Sequence, residues 1–461
     1  MLMVAAVSTQ NADPSKLPLV QPAELQSVGA FKVPDSASNG EYLSFGGGSI
    51  AFNPLKNSLF ISSYNGKVAE ISIPADLSVA TYLQPFTDVM EGRLSQVASS
   101  GAGLAGLAVF GDRLVGTASI FFDAGNTQVL THFSHSTTLT QASFSGWSRV
   151  GELKRAGFTS GWMTALPSEW QAKLGGPALT GQCCLPIESR TSAGPSAFAF
   201  DPAKVGQAVV PVVPLLHYGD GHTTLGPWEG SNPTYGATTQ MGGMAAIAGT
   251  RTILYFGRNG LGVHCYGNGT AEKSLVGTIG PDKEKYCYDP TTNTKGSHAY
   301  PYRYQVWAYD LNDFAAVKAG NKKPWDVKPY GVWPLTLLNP NLHVGGVGYD
   351  AQRQLLYVVE ISGDKVRGDL PLIHVFKLAI GAGPAAPPPV VPPVAEPPPT
   401  PAPTPVAVPV STPIPPATPD VDPKVLNLEA RIATIKALIQ EALNNTTAVK
   451  AVTPLKEALK K

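Results

Sequence analysis

The sequence contains few charged residues, and neither sign is in excess. Asp, Glu, Lys and Arg make up 15% of its 461 residues, against about 25% in ordinary globular proteins. The 34 basic and 33 acidic residues nearly cancel. Because nucleic acids and acidic membrane surfaces attract proteins through a positive field, we expect neither of them to be a partner.

Long hydrophobic runs are also missing. No stretch of about 18 apolar residues occurs, so no membrane span is predicted. The opening "MLMVAAV" is apolar, but it is short and no Lys or Arg precedes it. A complete signal peptide is therefore not predicted. We nevertheless expect an extracellular or virion-associated protein, which would leave the cell by an unconventional route or by lysis.

Cysteine is scarce, with four residues in the chain. Cys265 and Cys287 flank a Gly-rich loop and are a disulfide candidate in an oxidising compartment. Free thiols packed as small apolar side chains are the alternative. The neighbours Cys183 and Cys184 are able to close a strained ring with each other, which is a minor alternative.

Glycine and proline, by contrast, are abundant, with 47 and 43 residues, which indicates many short strands and turns. We divide the chain into a flexible arm (1–20), a β domain (25–380), a spacer (382–423) and a helical oligomerisation or anchoring segment (424–461). Proline occupies 18 of the 42 spacer residues, and such a tract favours extended polyproline II.

One pattern recurs within the β domain. Residues 46–62, 242–257 and 345–360 each begin with Gly-Gly, continue through small and apolar residues, turn at a polar corner and return as a strand. A tighter version occupies 105–118, and 193–210 is a further relative. Divergent hairpins that repeat in this way are typical of radial or stacked β modules.

These repeats predict an all-β fold, a β-propeller. In a propeller the innermost strands converge on a central channel, where little room remains for side chains, and this explains the Gly-Gly starts. Five blades are visible, and six or seven would result if residues 150–240 contain another. The early strand at 25–34 would join the last blade. A β-sandwich pair and a β-helix remain open as alternatives.

Several segments support this prediction by resemblance. They are "VGAFKVP", "GGGSIAFNP", "VAEISIP", "SRTSAGPSAFAFDP" and "YQVWAYDLNDF". On these segments the chain resembles poorly characterised β-propeller proteins found in phage and environmental bacterial sequences, over about residues 25–380. The resemblance implies the fold and brings no catalytic residues with it.

The C-terminal segment "VLNLEARIATIKALIQEAL" (425–443) differs from everything before it. Its apolar positions recur at alternating steps of three and four, which is the a/d pattern of a coiled coil. These positions are Val425, Leu428, Ile432, Ile435 and Ile439. A helix this short is marginal alone in water. We therefore expect self-association, with a trimer favoured, or docking to a larger assembly.

Aromatic and basic side chains are the candidate binding residues. Tyrosine offers an apolar face and a polar tip, which suits sugars and flat protein surfaces. The candidate tyrosines are Tyr286, Tyr288, Tyr300, Tyr302 and Tyr304. Arg190 and Arg258 are candidates for holding a carboxylate or a sugar hydroxyl. An internal salt bridge is the alternative for each arginine.

One segment has the residue types of a metal site. "HYGDGHTT" places His217, Asp220 and His222 within six residues, and two imidazoles with a carboxylate are able to hold a divalent cation. A structural or solvated role is the alternative. No other cofactor is predicted.

Glycoside hydrolysis needs two carboxyl groups on opposite sides of the bond that breaks. Glu360 with Asp364 is the best pair in the sequence, and Asp220 with Glu229 is another. Neither pair belongs to a motif, so no catalytic residue is predicted.

The sequence therefore predicts a non-enzymatic, surface-displayed binding protein, such as an adhesin or a phage fibre-like receptor binder. Its propeller would recognise a carbohydrate or a cell-surface receptor, and its C-terminal helix would multimerise or anchor it. Multivalency would strengthen weak contacts. The alternative is a secreted carbohydrate-active enzyme, a glycoside hydrolase or lyase, on the same fold; this alternative rests on fold analogy alone.

Overall fold

A computed structural model provides the structure of the chain. It describes residues 13–121, 123–184, 187, 190–219, 222–337 and 343–381. The predictions for residues 1–12, for the spacer and for the C-terminal segment with its a/d positions lie outside the described residues. Within the described part, the chain is mostly β, with six sheets and two α-helices.

Five of the sheets share one plan, in which strands follow each other outward from an innermost strand. Sheet 1 contains β2 (Ile50–Asn53), β3 (Ser58–Ser62), β4 (Val68–Ser72) and β5 (Tyr82–Thr87). Sheet 2 contains β6 (Ala102–Phe110), β7 (Arg113–Ile120), β8 (His132–Ser136) and β9 (Ser145–Val150), and β13 (Val209–Val210) joins its outer edge in parallel. Sheet 3 contains β10 (Met163–Ala165), β11 (Ala178–Thr180), β12 (Ala197–Phe200) and β14 (Val213–Leu216).

The remaining two of these sheets follow the same order. Sheet 4 contains β15 (Gln240–Ala246), β16 (Thr252–Gly260), β20 (Tyr302–Asp310) and β21 (Gly331–Pro334). Sheet 5 contains β22 (Val344–Asp350), β23 (Leu355–Asp364), β24 (Leu370–Leu378) and β1 (Leu25–Lys32). Helix α1 (Ser168–Leu174) lies between β10 and β11, and α2 (Leu311–Lys318) lies between β20 and β21.

The innermost strands of the five sheets contact one another in cyclic order. Strand β2 contacts β6, β6 contacts β10, β10 contacts β15, β15 contacts β22, and β22 contacts β2. Each sheet therefore presents its first strand toward a shared axis. This radial arrangement is propeller-like, and it differs from the face-to-face packing of a β-sandwich.

Glycine stands where the innermost strands approach one another most closely. A Cβ added to Gly242 would lie 2.0 Å from the carbonyl oxygen of Gly345, and one added to Gly345 would lie 2.3 Å from that of Gly47. At the junction of sheets 2 and 3, a Cβ on Gly106 would lie 2.2 Å from the carbonyl oxygen of Gly161. The backbones fit together because these residues have no side chain, which is the reason expected for the Gly-Gly starts.

The early strand β1 joins the last sheet, as the sequence predicts. It pairs antiparallel with β24, from Leu25 opposite Leu378 to Lys32 opposite Leu372. Sheet 5 therefore combines the beginning and the end of the described β domain.

One prediction on the repeats is wrong, and the conditional alternative of a sixth or seventh blade does not apply to the described residues. Residues 193–210 do not begin a sheet, because β12 is the third strand of sheet 3. The first hairpin of that sheet is β10–β11, and the insertion of α1 between its strands hides the repeat. The segment 150–240 contains no additional sheet among its described residues.

The later part of the N-terminal arm is packed against the domain, which corrects the prediction of a flexible arm for residues 13–20. Val20 is fully buried. Its amide donates to the Thr252 hydroxyl at 2.9 Å, and its carbonyl accepts from the Tyr330 hydroxyl at 2.8 Å. These contacts attach the arm to sheet 4.

A sixth, smaller sheet is inserted between β16 and β20. It contains β17 (Cys265–Thr270), β18 (Tyr286–Tyr288) and β19 (Lys295–His298). The structure joins Cys265 on β17 to Cys287 on β18 by a disulfide. No described helix has both the length and the apolar character that a membrane span needs.

Candidate functional site

A cleft opens between sheets 2 and 3, at the end of the molecule where the innermost strands begin. Its volume of about 370 Å³ lies within the range of small-molecule sites. One wall is formed where β6 begins and β7 ends, and the other by the residues before β10 and after β11. We call it the strand-start cleft; it is lined by residues 101–104, 119–121, Asp123, Asn126, Gln128, Gly157, Ser160, Cys183, Cys184, Ile187, Arg190 and Thr191.

The loop after β7 is held in place by Asp123. Its carboxylate accepts hydrogen bonds from the Thr127 amide and hydroxyl and from the Gln128 amide, each at 2.8 Å. Partial burial favours the neutral carboxyl group, but these hydrogen bonds favour the charged form more strongly. The pKa of Asp123 is therefore below its ordinary value. Asp123 is an ionised carboxylate at neutral pH.

The Gln128 side chain fixes the same loop from inside. Its amide nitrogen donates to the carbonyl oxygens of Ala118 at 2.7 Å and of Leu130 at 3.0 Å, and its oxygen accepts from the Ile120 amide at 3.1 Å. All three partners lie in or beside the strand that ends at the cleft. This wall is therefore rigid, which is what a binding site needs if its polar groups are to hold fixed positions.

The opposite wall combines a disulfide with hydroxyl groups. Cys183 and Cys184 are joined to each other, and both line the cleft beside Ser160. The Thr191 hydroxyl accepts from the Ile187 amide at 2.7 Å and so closes the loop that follows the disulfide. The strained-ring alternative for the adjacent cysteines is thus the one that the structure shows.

The cleft is suited to a ligand that has both apolar and hydroxyl-bearing faces. The Phe121 side chain at its rim is 71% exposed, and aromatic rings pack on the C–H faces of sugars and other flat ligands. Behind this rim lie a carboxylate, a guanidinium and an amide, contributed by Asp123, Arg190 and Asn126. A few polar groups in a mostly apolar cleft are what fixes the orientation of a bound small molecule.

Arg190 and Arg258, the two predicted binding arginines, lie in different surroundings. Arg190 lines the cleft, where its Nε donates to the Ala124 carbonyl at 3.1 Å. Arg258 is only 7% exposed; its guanidinium lies 4.1 Å from the centre of the Tyr302 ring and donates to Gln240 at 3.2 Å. Arg258 therefore packs within sheet 4 and does not line the strand-start cleft; its role in ligand binding stays a prediction.

Of the five tyrosines predicted to form a binding surface, three have partly exposed side chains and two are buried. Tyr302 and Tyr304 are 9% and 2% exposed, because the Arg258 guanidinium lies over the Tyr302 ring and Tyr304 packs in the core that sheets 4 and 5 share. The Tyr302 hydroxyl donates to buried Asp289 at 2.6 Å. Tyr286, Tyr288 and Tyr300 are half-buried. The rings of Tyr288 and Tyr300 meet edge to face, 5.7 Å apart.

The two described members of the predicted metal group, His217 and His222, both pack against the Trp325 ring. The His217 ring stacks on Phe198 at 5.7 Å, and the His222 ring stacks on Trp325 at 5.3 Å. Burial, with Arg155 and His222 nearby, lowers the pKa of His217 to about 4. Asp220 lies outside the described residues, and the described residues contain no group of three metal-ligating side chains.

Both carboxyl groups of the predicted pair on β23 already contact basic side chains of the same domain. Glu360 is fully buried and lies 2.8 Å from Nε2 of His374. Asp364 accepts from Arg367 at 2.7 Å and lies 3.8 Å from the ammonium group of Lys32. Neither carboxyl group lines the strand-start cleft.

Sequence reasoning missed most of the cleft. None of its residues belongs to a sequence motif. Phe121 and Asp123 lie in a loop, and Ser160 lies in an irregular segment. Two signals were available. The adjacent cysteines are unusual in themselves, and Ser160 directly precedes a glycine at an innermost strand.

No protein-family model matches the sequence, and no curated protein matches it. The solved structures that resemble the chain include a GH43 endo-arabinanase from Bacillus licheniformis, which is 10% identical, with a TM-score of 0.37 over 75% of this chain and 95% of the arabinanase. A structure from work on the GH130 family of mannoside phosphorylases, which contains glycoside hydrolases that target β-1,2 linkages in Candida mannan, is also 10% identical. Its TM-score is 0.40, over 82% of this chain and 95% of that one. The Dos1 propeller is 9% identical, with a TM-score of 0.29 over 72% of this chain and 68% of its own.

These similarities bear on the fold alone, and they are consistent with a β-propeller. The prediction of a non-enzymatic binding protein is contradicted, since the similar structures are mainly glycoside hydrolases. At identities of 12% or less and TM-scores of 0.40 or less, this likeness does not assign their activity to the chain. A specific relation to phage proteins finds no support, since no family model matches.

Proposed function

We propose that this chain is a carbohydrate-active enzyme that cleaves glycosidic bonds in the strand-start cleft of a five-bladed β-propeller. The observation that carries the proposal is the cleft itself. Its volume of about 370 Å³ exceeds the volumes of about 190 Å³ and 10 Å³ of two other cavities at the innermost strands, and one of its walls is fixed by internal hydrogen bonds. It also combines an exposed aromatic rim with an ionised carboxylate.

Asp123 is the proposed carboxylate. Glycosidases need one ionised carboxylate, as a nucleophile or a base, and one protonated carboxyl group as an acid. The lowered pKa of Asp123 suits the first role and excludes the second. Its two oxygens offer about four acceptor positions, and three are used by Thr127 and Gln128.

The acid must be another group. None of the other described residues that line the cleft carries a carboxyl group. Glu188 follows the cleft residue Ile187 in the sequence and lies outside the described residues. Its substitution therefore belongs in the same experiment.

The test is the release of reducing sugar from a panel of polysaccharides that includes arabinan and mannan, with and without inorganic phosphate. We expect Asp123→Asn to lower kcat by about 10²- to 10⁴-fold, the range for loss of an acid–base group; Glu188→Gln is assayed beside it. Asp201→Asn is the matched control, because Asp201 also caps a turn, accepting from the Ala203 amide at 3.0 Å, but does not line the cleft. Absence of cleavage on every substrate, or an Asp123→Asn protein as active as the wild type, would refute the proposal.

Two further predictions remain proposals. The two disulfides are consistent with an extracellular, oxidising location. The a/d positions between Val425 and Ile439 are proposed to join three chains. Sedimentation of the full chain, compared with a chain that ends at residue 381, tests this: we expect a trimer and a monomer respectively.

A further inference from the structure

Two exposed aromatic rings lie together at the end of the molecule where the innermost strands begin. Phe45 is 53% exposed and Tyr64 is 76% exposed, and their ring centres lie 6.3 Å apart, edge to face. Phe45 precedes the Gly-rich segment that leads into β2, and Tyr64 follows the end of β3. The Gly47 amide donates to the Ser62 carbonyl at 2.7 Å and holds these two segments together. We call Phe45 and Tyr64 the aromatic pair.

The backbone of Phe45 adopts a conformation that its side chain disfavours. Phe45 has a φ of 58°, in a turn that the Gly46 amide closes by donating to the Leu43 carbonyl at 2.7 Å. Glycine or asparagine usually occupies such a position, because a bulky side chain is strained there. Burial does not offset the strain, since more than half of the residue is exposed. Strain without a gain in packing is typical of residues that meet a ligand.

The exposed aromatic side chains of the described residues lie at this end of the molecule. They precede β2, follow β3 or β7, or belong to the sheet inserted between β16 and β20, and all these segments adjoin the strand starts. They are Tyr42, Phe45, Tyr64, Phe121 and Tyr266. At the opposite end, the turn between β2 and β3 exposes an aliphatic side chain, Leu55, at 67%. The strand-start end is therefore the face that presents stacking surfaces.

The loop that carries Tyr64 borders the strand-start cleft. Gly66 lies in this loop, and a Cβ added to it would lie 3.5 Å from the Cβ of Leu104. Leu104 lines the cleft near the start of β6. A linear ligand that leaves the cleft toward sheet 1 therefore passes the aromatic pair.

The size of the aromatic pair suits a few sugar rings rather than a protein. An aromatic side chain buries roughly 150–250 Å², so the exposed parts of the two rings offer roughly 200–300 Å². A specific protein interface takes about 800 Å² from each partner. Sugar rings pack their C–H faces on aromatic rings one at a time, and two aromatic rings are enough for a short stretch of a sugar chain.

The charges beside the two rings are balanced. Lys67, in the loop that carries Tyr64, lies 3.7 Å from Glu41. Lys365 contacts Asp369, whose carbonyl oxygen accepts from the Phe45 amide at 2.9 Å. A charged polymer therefore finds no net charge beside the rings, whereas an uncharged sugar chain needs none.

We infer that the aromatic pair is a distal subsite of the strand-start cleft, on which an uncharged polysaccharide chain stacks where it leaves the cleft. This inference rests on the proposed function and narrows its substrate class to long chains, which are cut at an internal bond. A short oligosaccharide fills the cleft and does not extend to the pair. Phe45 and Tyr64 bind the chain and take no part in bond cleavage.

The experiment compares a long and a short ligand of the same sugar. Native electrophoresis of the full chain through gels that contain soluble arabinan or mannan measures the dissociation constant for each polymer. Calorimetric titration with arabinotriose or mannotriose measures it for the short ligand. We expect Tyr64→Ala to weaken polymer binding about two- to tenfold, the range for one aromatic contact, and to leave trisaccharide binding unchanged.

Phe45→Gly separates binding from folding. Glycine adopts the φ of 58° without strain, so we expect the melting temperature to stay within about 3 °C of the wild type, while polymer binding weakens about two- to tenfold. A lower melting temperature with unchanged polymer binding would show a structural role and overturn the inference. Leu55→Ala is the matched control, because it removes an exposed apolar side chain at the opposite end. We expect it to bind both ligands as the wild type does.

The outcomes separate this inference from the proposed function. If Tyr64→Ala and Phe45→Gly bind the polymers as tightly as the wild type, the inference fails even when cleavage is observed. Equal losses for polymer and trisaccharide would place the rings within the cleft and overturn the distal subsite. Altered sedimentation with unchanged polymer binding would make the pair a contact between copies of the chain. If the polymers bind through the pair and are not cleaved, the subsite stands and the enzymatic proposal fails.

Discussion

The strand-start cleft between sheets 2 and 3 and the cavity at the opposite end of the innermost strands have different chemistry. At the end where the strands begin lies the cleft with Asp123, Ser160 and Arg190. At the other end lies a cavity of about 190 Å³ that we call the strand-end cavity. Its lining residues are 51–52, 107–109, 163–167, Met244, Ala246, Ala248, 347–349 and Ala351. No residue in this lining has a charged side chain.

The channel between the two ends is almost closed. Its free volume is about 10 Å³, and it is lined by small residues such as Gly48, Gly106, Gly242 and Gly346. That volume holds about one water molecule, so no sugar passes through. One end of the axis therefore serves packing and the other is available for a ligand. Because glycine has no side chain, the innermost strands approach closely enough to close the channel.

The largest expected effect is on stability, at the strand-end cavity. Leu107 is 4% exposed and belongs to the core between sheets 1 and 2. We expect Leu107→Ala to lower the free energy of unfolding by about 3 kcal/mol, because it removes buried methyl groups and enlarges a cavity. Sugar binding per folded molecule should not change. Denaturant unfolding and calorimetric titration measure the two quantities. Loss of sugar binding in the folded variant would mean that the two ends are coupled.

A somewhat smaller effect is expected at the axis. Gly106→Ala places a Cβ 2.2 Å from the Gly161 carbonyl oxygen, which also accepts from the Thr117 hydroxyl at 2.8 Å. We expect a loss of about 2 kcal/mol from overpacking. Because Gly161 follows Ser160 directly, we also expect weaker sugar binding, unlike in Leu107→Ala.

Gly48→Ala is the control for this substitution. Gly48 also lines the channel, but an added Cβ would meet nothing within 4 Å. Its unfolding free energy should stay within about 0.5 kcal/mol of the wild type, as for a substitution that disturbs no packing. Equal losses for the two glycines would mean that backbone freedom, rather than close approach, accounts for the Gly-rich axis.

The smallest expected effect is the change of activity with pH, and it tests the strand-start cleft alone. The pKa of Asp123 is below its ordinary value of 3.8 because the hydrogen bonds from Thr127 and Gln128 outweigh its burial. The ionised form is the active one in our proposal. Activity attributable to Asp123 should therefore be constant above about pH 4 and fall only as the pH drops through the lowered pKa.

The check is kcat/KM measured from pH 3 to pH 7, with circular dichroism recorded at each pH to confirm that the protein stays folded. An acid limb centred above pH 5 would mean that a different group, with a raised pKa, supplies the carboxylate function.

Much of the fold was predictable because it depends on local patterns. The Gly-Gly hairpins at 46–62, 242–257 and 345–360 became β2–β3, β15–β16 and β22–β23. The hairpin of sheet 3 was not predictable from the same pattern, since α1 separates its strands. Residues 193–210 imitate the repeat in composition, but they pair with strands that come before and after them.

The site was much harder to predict than the fold. Tyr302, Tyr304 and Arg258 have the residue types of a binding surface, and sheet 4 buries them. Glu360 has the residue type of a catalytic acid, but its carboxylate is already paired with Nε2 of His374. Residue type shows which chemistry a side chain is able to perform. It does not show whether a neighbouring side chain already holds that side chain in a hydrogen bond or an ion pair.

The sequence alone determined that this chain forms short strands around closely approaching glycines, because strand period, turn residues and the absence of a side chain are local properties. The tertiary structure alone decided which distant residues come to line the same cleft. Asp123 and Ser160 are 37 residues apart in the sequence, and they line one cleft only because β6 and β10 pack side by side. Burial and pairing depend on such distant neighbours, and no local pattern records them.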